Sequence, residues 1–161
     1  MALSVGDTIP NVKLMTLTAE GLKPVESGDV LGKGKVVLFG VPGAFTPTCS
    51  DHHLPGFVMQ AEEILAKGVD RIACIAVNDP FVMHAWGNAQ GTSDKITMLA
   101  DGNGDFAAQT GLELDLTGIG LGKRSQRYAA ILQDGVVEKI FVESNPAGVE
   151  VSSSDAVLKA L

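Results

Sequence analysis

Two unbroken apolar runs constrain this chain more than any other feature. Val36-Val37-Leu38-Phe39-Gly40-Val41 and Ile72-Ala73-Cys74-Ile75-Ala76-Val77 carry no charge and show no polar alternation. A strand with one wet face alternates, whereas a strand covered on both faces reads as continuous apolar sequence. Between the runs, Leu54, Phe57, Val58, Ala61 and Leu65 recur at helical spacing, with Gln60, Glu62, Glu63 and Lys67 opposite and Gly68 at the end. Two buried strands joined by an amphipathic helix make a βαβ unit.

The remaining segments extend that unit. Residues 12–17 and 22–26 flank Ala19-Glu20-Gly21 and predict an N-terminal hairpin. Ile96 to Ala100, Tyr128 to Leu132 and Val136 to Val142 predict three more strands, the last two joined by Gln133-Asp134-Gly135, a strong hairpin signature. Asn78-Asp79-Pro80 reads as a helix cap followed by proline in the first turn. Ser152-Ser153-Ser154-Asp155 fits a capping box for a last helix ending at Leu161. Gly102-Asn103-Gly104-Asp105 lacks the rest of a calcium loop and predicts a turn before a short helix. Strand, helix, strand, helix, strand, hairpin, helix is the thioredoxin-like α/β layout: a central mixed β-sheet flanked by helices, with an N-terminal β-hairpin. No repeat or linker divides the chain, so one domain is expected over 1–161.

Composition removes several functions. The net charge of −7 over 161 residues leaves no basic surplus for phosphates, so no nucleic acid is expected as partner. No apolar run is long enough to span a membrane. Two cysteines are too few for a disulfide scaffold, which favours a compartment that keeps thiols reduced. The first residues lack signal or transit character. A cytoplasmic location is therefore expected, or a plastid or other organelle if the chain is a mature form. The three histidines and two cysteines show no metal-ligand spacing, and neither metal nor cofactor is expected.

The chemistry concentrates in Val41-Pro42-Gly43-Ala44-Phe45-Thr46-Pro47-Thr48-Cys49-Ser50, which leaves the first buried strand and enters the amphipathic helix. Cys49 thus falls near a helix N-terminus at the carboxyl edge of an α/β sheet, where ligands tend to bind. Free N–H groups and the positive dipole end stabilise an anion there and so favour the reactive thiolate. By default a lone cysteine is a small core residue, but this strand-to-helix position argues for a nucleophile. A fixed cation nearby would stabilise that thiolate further. On residues alone, Arg124 and Arg127 are both candidates for that cation.

Pro42-x-x-x-Thr46-x-x-Cys49 is similar to the active-site motif of the peroxiredoxins, and the run Gly40 to Cys49 resembles the type II subfamily. The likeness extends through Val5-Gly6-Asp7, His53-Leu54-Pro55-Gly56-Phe57, Val77-Asn78-Asp79, Trp86, Ala100-Asp101 and Lys123 to Arg127. The resemblance implies a thiol-dependent peroxidase acting on hydrogen peroxide and small organic hydroperoxides. It implies Cys49 as the peroxidatic cysteine, oxidised to a sulfenic acid, and Thr46 as the hydroxyl that positions the O–O bond. It implies Pro42 as the shield of the sulfur and Arg127 as the cation. His53 matches a pocket histidine, and Phe45 stands beside the pocket. A catalytic base at His52 or His53 is the weaker reading, since such histidines usually lie far away in sequence.

Cys74 is the one internal candidate to resolve the sulfenic acid, yet its mid-strand setting reads as an inert core thiol. A bridge to Cys49 would need Cα atoms within about 7 Å, and hence unfolding of the active-site helix. External reduction by glutaredoxin with glutathione, or by thioredoxin, follows from the resemblance to plant and algal members. The resemblance also implies a homodimer through the loops around the site, whereas Phe45 and Trp86 read by default as core. A redox sensor or relay that passes oxidation from Cys49 to a partner is the alternative function.

Overall fold

The computed structural model describes residues 2–161. Its centre is the expected pair of covered strands, β3 (Lys35–Gly40) and β4 (Arg71–Ala76), parallel and in register from Val36 opposite Arg71 to Gly40 opposite Ile75. The amphipathic α2 (Leu54–Ala66) connects them. β5 (Ile96–Ala100) follows α3 (Pro80–Gln90) and lies parallel on the far side of β4. β8 (Tyr128–Gln133) is antiparallel to β3, and β9 (Val136–Val142) folds back on β8. The turn between β8 and β9 places Asp134 and Gly135 at φ 51° and 81°, which explains the Asp-Gly pair, because a tight hairpin needs positive φ at both central positions.

The N-terminal hairpin forms as β1 (Lys13–Thr18) and β2 (Gly21–Glu26), and β1 joins the edge of β5. The seven strands therefore lie in the order β2-β1-β5-β4-β3-β8-β9, a mixed sheet with helices on both faces, which is the thioredoxin-like arrangement. Strand alternation sorts the core into two clusters. Val37, Phe39, Ile72 and Cys74 pack with Phe57, Trp86 and Val157 on one face, while Val36, Leu38, Ala73 and Ile75 pack with Phe106, Tyr128 and Leu132 on the other. Each large side chain so buried contributes about 1.5–3 kcal/mol. Gly40 is required where β3 passes β8, because a methyl group there would overlap the Tyr128 ring.

Short elements complete the chain: α1 (Ser27–Leu31), α4 (Asp105–Gln109), a two-stranded sheet of β6 (Glu113–Leu116) and β7 (Gly122–Ser125), and α5 (Ser154–Ala160). α4 is the short helix expected after Gly102-Asn103-Gly104, and Asp101 accepts the N–H groups of Phe106 and Ala107. The capping box at Ser152 is not what forms. Ser153 is the cap and accepts Ala156 N–H at 3.1 Å, so the third helical position is an alanine that cannot reciprocate. Ser152 is drawn one residue back by a buried carboxylate.

Candidate active site

Leaving β3, residues 41–46 form a loop that turns between Gly43 and Thr46, and the chain becomes helical at 47. A π-helical turn over Cys49–His53 precedes α2, with Leu54 N–H donating to Cys49 O. Pro55 stands near this wide turn and has no N–H to close an ordinary one. The wide turn has a directional consequence. Cys49 and His53 both face inward and are fully buried, while Asp51 and His52 between them face solvent.

Arg127 meets both inward groups. It leads into β8, and only 2% of it is exposed. Its Nη2–H donates to Cys49 Sγ at 3.1 Å, its Nη1–H to His53 Nδ1 at 3.0 Å, and its Nε–H to Pro146 O at 2.9 Å. The two ion pairs among the described residues, Lys95 with Glu62 and Lys123 with Glu113, leave Arg127 out. The guanidinium thus places a fixed, buried positive charge against the sulfur with no carboxylate to neutralise it.

The contacts of His53 fix its tautomer. Nδ1 accepts from Arg127, so the proton sits on Nε2 and is donated to Ser152 O at 2.9 Å. Burial first, and then the Arg127 charge, lower its pKa from 6.5 to about 3. His53 is thus a neutral spacer whose lone pair is occupied. Its ring packs at a tilt against Phe39 and Phe57 at centroid distances of 5.1 and 5.6 Å. His52 points to solvent, which leaves neither histidine placed as a base for Cys49.

Thr46 donates its hydroxyl hydrogen to Gly43 O at 2.6 Å, which leaves its oxygen lone pairs free to accept. Pro42 is buried, and its carbonyl accepts Arg124 Nη1–H at 3.4 Å. Arg124 also donates to Leu121 O at 2.8 Å, so the second candidate cation clasps the loop backbone rather than the sulfur. Gly43 permits that clasp, since a Cβ there would lie 2.7 Å from Arg124 Nη1. Phe45 departs from its default reading as core. It is 57% exposed and sits at φ 63°, a left-handed conformation unusual for phenylalanine. Trp86 is core, fully buried, and its indole N–H donates to Ser50 Oγ at 3.0 Å.

Cys74 lies in β4 opposite Phe39 and faces the same cluster as Cys49. Burial, and next the proximity of Cys49, push its thiol well above the ordinary range. Three supports of the site went unread in the sequence: Asn78 Oδ1, which accepts Ala44 N–H at 2.9 Å, and the pair Glu143 and Ser152 behind His53. All act across long sequence separations, where local pattern carries no trace. Among the described residues no cluster of three histidine, cysteine or acidic side chains is arranged for a metal ion.

Comparisons with known proteins bear on this geometry. The Redoxin family profile matches residues 4–158. The chain is 48% identical over 160 residues to Peroxiredoxin-2B of Arabidopsis thaliana, covering 99% of this chain and 98% of that protein. It is 47% identical over 164 residues to the chloroplastic Peroxiredoxin-2E of the same plant, covering 99% of this chain and 70% of the other. Among solved structures, reduced Prx3 in complex with hydrogen peroxide from Vibrio vulnificus superposes with a TM-score of 0.93 at 49% identity, covering 98% of each chain.

Proposed function

The chain belongs to the Redoxin family as a thiol-dependent peroxidase of the peroxiredoxin-2 kind, and from that premise we propose that Cys49 is its peroxidatic cysteine. The observation that carries the assignment is the buried Arg127 guanidinium donating to Cys49 Sγ at 3.1 Å. The thiolate attacks one peroxide oxygen along the O–O axis. The S–O bond forms as the O–O bond breaks, and the electron pair leaves on the distal oxygen as hydroxide or alkoxide, which takes a proton to become water or alcohol. Cys49 becomes a sulfenic acid. Arg127 stabilises the attacking sulfur and the charge that develops on the departing oxygen. Thr46, its own proton committed to Gly43, accepts from the peroxide hydroxyl and orients it, while Pro42 covers the sulfur.

The full burial of Cys49 supports hydrogen peroxide and small alkyl hydroperoxides as substrates, because little more than loop breathing admits a two-oxygen molecule. A protein thiol needs more room, so reduction of the sulfenic acid requires opening of the helix start at 47–53. The reductant is an external dithiol or glutathione system, glutaredoxin with glutathione or thioredoxin. Cys74 does not serve, since a fully buried thiol held protonated in a central strand is a poor nucleophile. Phe45 and Phe81, each 57% exposed, flank the Ala44–Asn78 link beside the site and support a homodimer through these loops. Light scattering should then give twice the chain mass of 16.7 kDa.

Intact mass after one equivalent of hydrogen peroxide tests the assignment. Gain of one oxygen, absent in Cys49→Ser, is expected. Loss of two hydrogens would make Cys74 the resolving partner, and an unchanged mass would remove the peroxidatic role of Cys49.

A further inference from the structure

The segment after β9 arches back over the start of the helix that carries Cys49 and gives two backbone acceptors to that helix start and one to Arg127. Pro146 O takes the Nε–H of Arg127, Ala147 O takes the hydroxyl of Thr48, and Ser152 O takes the Nε2–H of His53, each at 2.9 Å. A loop of this length has no intrinsic shape, and its backbone must be held by something. What lies inside the arch is the carboxylate of Glu143, a residue only 7% exposed.

One oxygen of that carboxylate, Oε2, accepts Glu150 N–H at 2.9 Å, Ser152 N–H at 2.8 Å and Ser152 Oγ–H at 2.6 Å. The backbone N–H of Glu143 donates to Arg127 O at 2.9 Å, which ties the anchor to the residue it serves. Burial alone pushes the Glu143 carboxyl up, but the hydroxyl and backbone N–H groups of Ser152, with the N–H groups of Glu150 and Val151, bring it below the usual range. It is therefore ionised at neutral pH. Neither Glu143 nor Arg127 belongs to the ion pairs among the described residues, although both are charged and buried. An uncompensated buried charge is expensive. Here the two opposite charges are joined by a relay, Glu143 to Ser152 to His53 to Arg127, that ends on Cys49 Sγ.

We propose that Glu143 is a positioning residue for the peroxide step: by closing the 143–152 loop it aims the Ser152 and Pro146 carbonyls that hold the Arg127 guanidinium, directly and through His53, on Cys49 Sγ. Without that hold, Arg127 keeps its charge but loses two of its three fixed partners, and its third hydrogen bond is free to swing off the sulfur. The inference rests on Cys49 being the reacting thiol.

The test is a double-mutant cycle on the full chain, reading the rate of hydrogen peroxide reduction and the rise of thiolate ultraviolet absorbance with pH. Glu143→Gln is expected to slow the peroxide step about tenfold, the scale of a hydrogen bond to a charged group, and to move the thiolate signal to higher pH. In an Arg127→Gln background, Glu143→Gln is expected to slow it no further, because the residue acts only through the guanidinium. Val137→Ala, which opens a cavity in the cluster on the other face of the sheet, lowers stability and should leave the rate within about twofold. A wild-type rate in Glu143→Gln would overturn the proposal. So would an equal loss with and without Arg127, or a tenfold loss in Val137→Ala. Failure of the peroxidatic assignment looks different, since Cys49→Ser would then retain the wild-type rate.

Discussion

Cys49 and Cys74 share one apolar cluster, and both are fully buried, yet they occupy opposite chemical worlds. Cys74 sits in the central strand with backbone partners on both sides and apolar neighbours above. Cys49 sits in the first turns of a helical segment, and the buried Arg127 donates Nη2–H to its sulfur. Burial by itself is therefore no guide to thiol reactivity. It suppresses a thiolate that has no partner and strengthens the hold of a cation on one that does. The helix start also frees Cys49 from ladder constraints, so it can be exposed by local unwinding, while exposing Cys74 would mean lifting the cluster of Phe57 and Trp86 off the face of the sheet.

The contrast is broken most directly by exchanging which cysteine is removed. Cys49→Ser should abolish peroxide consumption, a loss of at least about a thousandfold, while Cys74→Ala should keep the rate within about twofold. A Cys74→Ala protein that turns over once and stalls would show the two sulfurs to be partners after all. Next in size is the cation. Arg127→Gln should slow sulfenic acid formation about a hundredfold, as when a donor to developing charge is lost. Arg124→Gln, which loosens the clasp on Pro42 O and Leu121 O but leaves the sulfur untouched, should cost about threefold. Equal effects would mean that the pocket needs positive charge rather than one fixed guanidinium.

The smallest effect is on stability and sharpens the picture of the polar side. Folded His53 stays neutral down to about pH 3, whereas in the unfolded chain it takes a proton near 6.5. Between those values the unfolded state binds the extra proton, so stability rises with pH across the window and is lost as pH falls through it. Urea unfolding should show a loss of about 2 kcal/mol from about pH 7 to about pH 5, and His53→Gln should remove that part of the dependence. An unchanged slope in His53→Gln would break the assignment, because Glu143, with its carboxyl held below the usual range, gives up its contribution only at lower pH.

Much of this was legible from one dimension. The continuous apolar runs became β3 and β4, and Asp134-Gly135 became a tight turn, because each is a local rule with a strong physical cause. The motif from Pro42 to Cys49 was equally plain, being a single contiguous loop. The β6–β7 hairpin was not legible, since its strands are four residues each, half exposed, and have no core of their own to impose alternation. Nor was the shift of the last helix cap from Ser152 to Ser153. Three serines in a row are locally equivalent, and a glutamate nine residues back decides between them by taking the first. The choice between Arg124 and Arg127 depended on which face of the β7-to-β8 connection meets the helix, which residue spacing alone does not encode.

Trp86 makes the state of the helix start measurable. It is the sole tryptophan of the chain, and its indole N–H donates to the hydroxyl of Ser50, the residue after Cys49. Any unwinding at the helix start must break that bond and change the surroundings of the ring. The molecule thus carries an intrinsic optical gauge of the helix start that needs no label or added chromophore.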